Sequence, residues 1–508
     1  MATSDTEGVA GSDLVRTIWT LFPLGFLLLT LLVNSMPQVA AGEEVFRLNT
    51  QVGLESFDPA DSSNSIASFT LNIIYSPLMR YQNKKLSPNG AKSCQAIQDR
   101  HYRCELRKDW KWSDGHPVTA DQFVFGFNEL KRKKSLRLNN LTTLKSVVAP
   151  TPLRVDFFLT SPDSDFLYRL VDPALGPRRK DVDLKLGRVT YGPHRLKSKI
   201  PGRSFYFEHN PFYFIKKKTR PDVEVLIVDS DNTALNLYLT NKINFLRRLS
   251  TDKIQEFKTK PDFFQIPVHR FDYIGFGPQL NDYESLRKNL VYSLKPQYES
   301  FQKLFDALGF PGCFSALGSL VGQPLCYEDQ KVKPYSDREI LTLPLMDLYF
   351  TRQAGDDVQR AMELFQQGWK RQLNINVNLH PAELGVLNQM LRDNPPPLFR
   401  RGVPLERPTC LAALEVFESD NPNNFIRWSN KSYDSILAKM RKTTKATYSR
   451  LCKEGQKALL KAHRIIPLGE IHLSMLTDHN FDGILINELN QLDLSGLESH
   501  SESKETKP

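Results

Sequence analysis

Catalytic and metal-binding signatures are missing from this 508-residue chain. It has no GxSxG nucleophile elbow, no GxxxxGK[ST] phosphate loop and no HExxH zinc helix. No CxxC occurs, and no two of the ten histidines stand at i, i+4, so a metal has no ligand framework. Asp and Glu are so abundant that pairing any two carries no information. Catalytic residues, metals and cofactors are therefore expected to be none. Long apolar runs are scarce as well. Residues 18–33, IWTLFPLGFLLLTLLV, are the single stretch apolar enough to concern a bilayer. They fall short of the roughly 20 residues a spanning helix needs. A polytopic membrane protein is excluded. Charge of one sign is also modest: 67 Lys+Arg against 57 Asp+Glu gives +10, which permits anionic partners without naming one. No internal repeat occurs, which excludes a solenoid.

What is present is globular. The chain is 40% hydrophobic and 24% charged, and its length suggests two to four units at about 150 residues each. The apolar run is followed by NSMPQVAA-GEE, with Val39 and Ala41 at the −3 and −1 positions of a small-residue cleavage site. Residues 1–41 are expected to be a signal peptide, cut before Gly42. An uncleaved anchor is the alternative, because the leading region is long and carries Asp5, Glu7 and Asp13 against Arg16 alone. Cleavage removes one base and three acids, raising the net charge from +10 to +12. Export makes the six cysteines disulfide candidates. Cys94 and Cys104 flank QAIQDRHYR, two strands around an Asp-Arg turn. Cys313 and Cys326 enclose a Gly/Pro-rich loop. Cys410 and Cys452 remain without an assigned partner.

Periodicity along the mature chain alternates strands with helices. Residues 44–60 read as a strand entering a loop that turns at Asp58-Pro59; 99–108, 203–209 and 222–229 read as strands, and INVNLH alternates Ile375, Val377 and Leu379. Thr119 is a good N-cap, with Gln122 completing a capping box, and Phe123, Phe127 and Leu130 share one helical face. Residues 357–373 place Val358, Met362, Phe365 and Trp369 on one face. This pattern is α/β. The basic runs Lys131–Lys134 and Lys216–Lys218 with Arg220 read as a solvated helix end and a solvated turn, so no nucleic-acid partner is expected. The tail from Glu498 reads as disordered.

Six segments, in order, carry more. ELRKDWKWSDGHPVTADQFVFGF resembles the "LR-x-x-x-x-x-DG-x-P-x-TA-x-D-V-x-F-x-F" signature of the peptide/nickel-type solute-binding proteins of ABC importers (extracellular solute-binding family 5), with Gln122-Phe123 in place of Asp-Val. SFDPA, IIYSPLMRY, YGPHRLKSKIPGRSFYFEHNPFYF, DNPNNFIRWSNKSYDSIL and IIPLGEIHLSML match other family segments, and together they cover nearly all of residues 44–497. The resemblance implies a two-lobe α/β periplasmic-binding-protein fold with an extra subdomain, no catalysis and ligand in the cleft between lobes. By correspondence the first lobe holds 42–64, 185–268 and 470–508, the extra subdomain 65–184, and the second lobe 269–469. Trp110 and Trp112 are expected to be structural.

Peptide-binding members meet the peptide α-amino group with an aspartate in "W-x-A-D-Y-x-D-P". Here the matching stretch is RRGVPLERPTCL. Aligned on Pro408, Pro404 stands at the aspartate, Leu405 at the tyrosine and Arg407 at the second aspartate, so the recognition carboxylate is absent. Glu406 is a substitute or a solvated loop residue. The resemblance makes Phe57, Asp58, Tyr273, Phe276, Arg401, Leu405, Glu406, Asn424 and Trp428 the ligand-binding candidates. For Asp58 a turn-shaping role stands beside this, and for Tyr273 and Phe276 core packing does. Arg400 and Arg401 suit a carboxylate, but as adjacent residues they need not face the same way. The implied function is capture of a peptide or similar small solute in the periplasm, as a monomer, for an ABC permease of the inner membrane. The alternative is the same fold with a degenerate pocket, serving as a membrane-linked scaffold or sensory partner.

Overall fold

The seven-stranded sheet at the heart of the first half is built from distant pieces of chain. Its order is Phe263–Val268, Ile471–Thr477, Phe245–Leu246, Val45–Thr50, Asp222–Ile227, Ser204–His209, His194–Ile200. This is a computed structural model that describes residues 44–61, 65–305, 313–314, 325–328, 330–352, 356–405, 407–443, 445–468 and 471–500. The expected cleavage site at Gly42 lies outside the described residues. Alternation explains the first strand: Phe46 and Leu48 point inward and are fully buried.

A four-stranded antiparallel sheet joins Ala91–Gln98, His101–Leu106, Arg154–Leu159 and Leu144–Thr151 in that order. The expected hairpin turns at Asp99-Arg100, with Cys94 opposite Cys104 and a disulfide between them. Helix Ala120–Arg132 lies against this sheet. Its start follows the expected box: the Thr119 N–H donates to Gln122 Oε1 at 3.3 Å, an oxygen that also accepts from Trp112 Nε1 at 2.9 Å. Phe123, Phe127 and Leu130 are buried, each contributing roughly 1.5–3 kcal/mol. Trp110 and Trp112 are fully buried, and Trp110 Nε1 donates to the Tyr191 carbonyl at 3.0 Å.

The five-stranded sheet runs Asn378–Ala382, Asp347–Thr351, Leu398–Pro404, Arg270–Phe276, Ile465–Pro467. Helix Asp356–Leu373 buries Val358, Met362, Phe365 and Trp369 as its periodicity predicts. Ile375 and Val377 are buried but precede the strand, which begins at Asn378. A second disulfide joins Cys410 to Cys452. Cys313 and Cys326 stand opposite each other in a two-stranded pairing, and Cys326 is disulfide-bonded.

Three expectations are corrected. Lys133, read as part of a solvated helix end, reaches Asp58 Oδ2 at 2.5 Å and Asp61 Oδ1 at 3.3 Å. Arg220, read as part of a solvated turn, donates to the carbonyls of Ile215, Leu494 and Ser495. The tail does not fray at Glu498: Glu498–Ser499 pairs antiparallel with Phe481–Asp482, and Lys217 holds Glu498 at 3.0 Å. Among the described residues no helix is long and apolar enough to cross a membrane.

Candidate ligand cleft

Strand direction locates the cleft. Val45–Thr50, Asp222–Ile227 and Phe245–Leu246 are parallel. Phe263–Val268 runs with them, because it and Phe245–Leu246 are both antiparallel to Ile471–Thr477. Their carboxyl ends share one edge of the seven-stranded sheet. From that edge Phe263–Val268 passes through His269 into Arg270–Phe276, a strand of the five-stranded sheet. The chain returns after Ile465–Pro467 and starts Ile471–Thr477 at the same edge. The edge therefore faces the second sheet, and ligands of open α/β sheets gather at such carboxyl ends.

The loop leaving Val45–Thr50 carries Phe57 and Asp58. The structure turns both inward, against the expectation that they meet ligand. Phe57 is fully buried, edge-on to Phe205 at 5.3 Å and Phe207 at 6.0 Å. Asp58 shapes its own turn, accepting from the Ala60 N–H at 2.8 Å. Its other partners are Arg178 Nη1 at 2.8 Å and Lys133. Burial alone would raise the Asp58 carboxyl, but the Arg178 and Lys133 contacts outweigh it and hold it at about 2.

In the second sheet, pleating sorts the candidates. Tyr273 lies opposite Arg401, and Ile274 opposite Arg400. Tyr273 packs in one cluster with Phe399, Leu405, Phe425 and Trp428. Phe276, three residues on, falls on the other face with Ile274 and Leu398, in the core packing that stood beside a ligand role. Arg400 and Arg401 likewise diverge. Arg400 pairs with Asp272, which also meets Arg270 Nε at 2.5 Å. Arg401 stacks over the Phe425 ring at 5.3 Å and donates to Asn388, while its buried Nε has no acceptor among the described residues.

Asn424 is buried and ties its loop, donating to the carbonyls of Glu418 at 3.1 Å and Trp428 at 2.7 Å. Its Oδ1 is buried without a partner among the described residues. Trp428 packs on Tyr433 at 4.9 Å. Leu405 is buried core, its N–H donating to the His269 carbonyl at 2.8 Å, so it presents no side chain to ligand. Glu406 lies outside the described residues. The structure thus brings Arg401, Asn424 and Trp428 together around Phe425, with Tyr273 fully buried beside them, and takes Phe57, Asp58, Phe276 and Leu405 into packing.

Sequence reading missed a bridge. Asp165, from the 163–169 segment, meets Arg407 Nε at 3.4 Å and accepts from Thr409 Oγ1 at 2.5 Å. Arg407 also pairs with Glu415, and the Ser164 N–H donates to the Arg441 carbonyl at 3.3 Å. Arg407 is 2% exposed and Asp165 3%. Burial works against both charges. Glu415 and Asp165 outweigh it for Arg407, which is held above its ordinary value, whereas the Asp165 carboxyl is pushed up. The one sequence signal was an arginine at the place of the family's second aspartate.

Residues 85–294 match the model described as "Bacterial extracellular solute-binding proteins, family 5 Middle". That stretch of the chain is similar to this family. The chain is 20% identical to the oligopeptide-binding protein OppA of Bacillus subtilis (strain 168), over 88% of this chain and 91% of that one. It is 22% identical to the probable deoxycholate-binding periplasmic protein YgiS of Escherichia coli (strain K12), over 84% and 89%. Among solved structures it resembles Haemophilus influenzae OppA in complex with RPPGFSPFR, with a TM-score of 0.76 at 20% identity, covering 90% of this chain and 99% of that one. That likeness establishes the two-lobe fold.

Proposed function

We propose that this chain captures a peptide in the periplasm and delivers it to an ABC permease of the inner membrane, without catalysing a reaction and as a monomer. The observation that carries the reading is the carboxyl edge of the seven-stranded sheet facing the five-stranded sheet across two crossings. Such an arrangement admits a ligand between lobes and closes by hinge motion. The names of the relatives, mostly oligopeptide- and dipeptide-binding proteins, support a peptide as cargo. In this reading the first lobe comprises 42–64, 185–268 and 470–508, with 65–184 as its extra subdomain and 269–469 as the second lobe. Arg401, Asn424 and Trp428 line the cleft from the second lobe, packed against the buried Tyr273 and Phe425.

Pro404 ends the Leu398–Pro404 strand where relatives would offer an aspartate to the peptide amine. Proline brings neither a carboxylate nor an N–H. Arg407, two positions beyond the tyrosine site, is bound to Asp165 and Glu415. In this reading Pro404 offers the ligand's amine no acid, and the buried Asp272 on the neighbouring strand is taken by Arg400 and Arg270. Calorimetry with matched free-amine and N-acetyl tripeptides tests this. The reading expects acetylation to change affinity by less than about threefold, against the two to four orders of magnitude that loss of a buried charge pair brings. Strong amine dependence that disappears in Glu406→Gln would assign the role to Glu406.

The Asp165–Arg407 bridge also favours a second reading. If 65–184 belongs with the first lobe, the bridge spans the two lobes and holds them together without ligand. A protein locked in this way would serve as a membrane-linked scaffold or sensory partner, and no peptide would bind it.

A further inference from the structure

Arg247 follows directly on Leu246, so it stands at the carboxyl edge of the seven-stranded sheet that faces the second sheet. It is 8% exposed, and its Nε is buried with no acceptor among the described residues. Its backbone is fixed, because the Arg247 N–H donates to Asn49 Oδ1 at 3.0 Å at the end of the neighbouring strand. Its guanidinium lies over the Phe69 ring, 4.5 Å from the centroid. A planar cation on an aromatic face is oriented and kept apart from water.

Among the described residues no carboxylate pairs with it. Asp231, whose charge favours the cation, is engaged by Arg248 at 3.4 Å and by Gln51 Nε2 at 3.2 Å. Every other buried arginine named above has an acid or backbone carbonyls, apart from Arg401 with its amide partner. Burial draws the Arg247 guanidinium down to about 10, and Arg248 adds to that. Thr70 Oγ1, beside Phe69 in the chain, is also buried without a partner among the described residues. A desolvated cation with an open donor and an open hydroxyl next to its stacking ring is unfavourable in the empty protein. It becomes favourable when a ligand supplies an anion, which a guanidinium binds through two parallel N–H donors.

We propose that Arg247 is the anion receptor of the first lobe, taking a carboxylate of the bound solute. This rests on the reading of the protein as a peptide-capture protein. It adds a selectivity: peptides that carry a carboxylate, from the C-terminus or an acidic side chain, are held, and neutral ones are not. The cation sits on the lobe opposite Arg401, so an extended ligand meets Arg247 at one end of its path.

Titration calorimetry of the full mature chain and Arg247→Met tests it. Four versions of one N-acetyl tripeptide serve as probes: free C-terminus, C-terminal amide, amide with one Glu, and amide with Gln in its place. The wild type should prefer a carboxylate-bearing peptide by about 100-fold, with the free acid and the Glu amide revealing which carboxylate is read. Arg247→Met should erase that preference and leave the neutral peptides within about threefold. Its melting temperature without ligand should equal or exceed that of the wild type, because an unpaired buried cation has been removed. Equal loss for charged and neutral peptides, no loss for either, or a ligand-free melting temperature lowered by several degrees would overturn the proposal. A wild type that binds none of the four would overturn the peptide reading, and this inference with it. Binding that is tight and charge-blind would overturn the inference alone.

Discussion

Replacing Arg407 by Gln breaks the bridge between the 163–169 and 407–441 segments at its centre. Arg407 and Asp165 are both almost fully buried, so no water compensates either charge. Truncating one partner of a buried pair costs about 3–5 kcal/mol, mostly because the survivor keeps an unpaired charge. Two features of the site lower that figure. Thr409 Oγ1 still donates to Asp165 at 2.5 Å, and burial already pushes the Asp165 carboxyl upward, so the orphaned acid takes a proton. The expected loss is about 2–3 kcal/mol. Asp165→Asn should cost less, because Arg407 retains Glu415. Urea unfolding of the wild type, both single variants and the double variant gives the coupling energy, expected above about 1 kcal/mol. If the two losses add to within about 0.5 kcal/mol, the bridge does not hold the segments together and the reasoning is refuted.

Acid should destabilise the protein in two stages. Burial holds His194 down at about 3, so the unfolded chain binds a proton that the folded chain refuses, and stability falls as pH drops below about 6.5 toward 3. Asp58, held at about 2, adds a further loss of about 2 kcal/mol between about pH 4 and 2. Melting curves against pH should show both limbs, and His194→Asn should flatten the upper one; a melting temperature constant from pH 7 to 4 would contradict this. The Cys410–Cys452 disulfide closes a sequence separation of 42 against 10 for Cys94–Cys104. Chain entropy then makes its loss the larger by about 1 kcal/mol, which Cys→Ser pairs compared by denaturant midpoint will check. Gly192→Ala should lower stability by about 1–3 kcal/mol, since a Cβ there would lie 2.4 Å from the Ile74 carbonyl carbon and 2.5 Å from the Tyr75 nitrogen. An unchanged melting temperature would show that the backbone yields.

Local signals were the ones the sequence displayed. The helix at Ala120–Arg132 was legible because its cap, its box residue and its apolar stripe lie within one short window. The Cys94–Cys104 hairpin was legible for the same reason. Partners far along the chain were not. Lys133 looks like any exposed lysine until Asp58, 75 positions earlier, is placed beside it. Arg220 binds carbonyls 274 and 275 positions away, and Asp165 lies 242 positions from Arg407. At the candidate cleft, alternation alone separated Tyr273 from Phe276 and Arg400 from Arg401, but it does not say which face looks toward ligand. For Phe57 and Asp58 the sequence left a turn beside a ligand role, and only the Phe205, Phe207 and Arg178 contacts show that this loop turns its side chains inward. Arg247 carries no motif at all. It emerges only when strand direction, burial and an open Nε are combined.

Native mass spectrometry of the mature protein, purified without denaturation and sprayed from volatile buffer, tests capture most directly. The account predicts a folded monomer carrying adducts of several hundred daltons that vanish on acid denaturation and fragment as peptides bearing a free carboxylate. A protein that is persistently free of adducts, and stays so after incubation with a peptide digest, would contradict it and favour the locked scaffold.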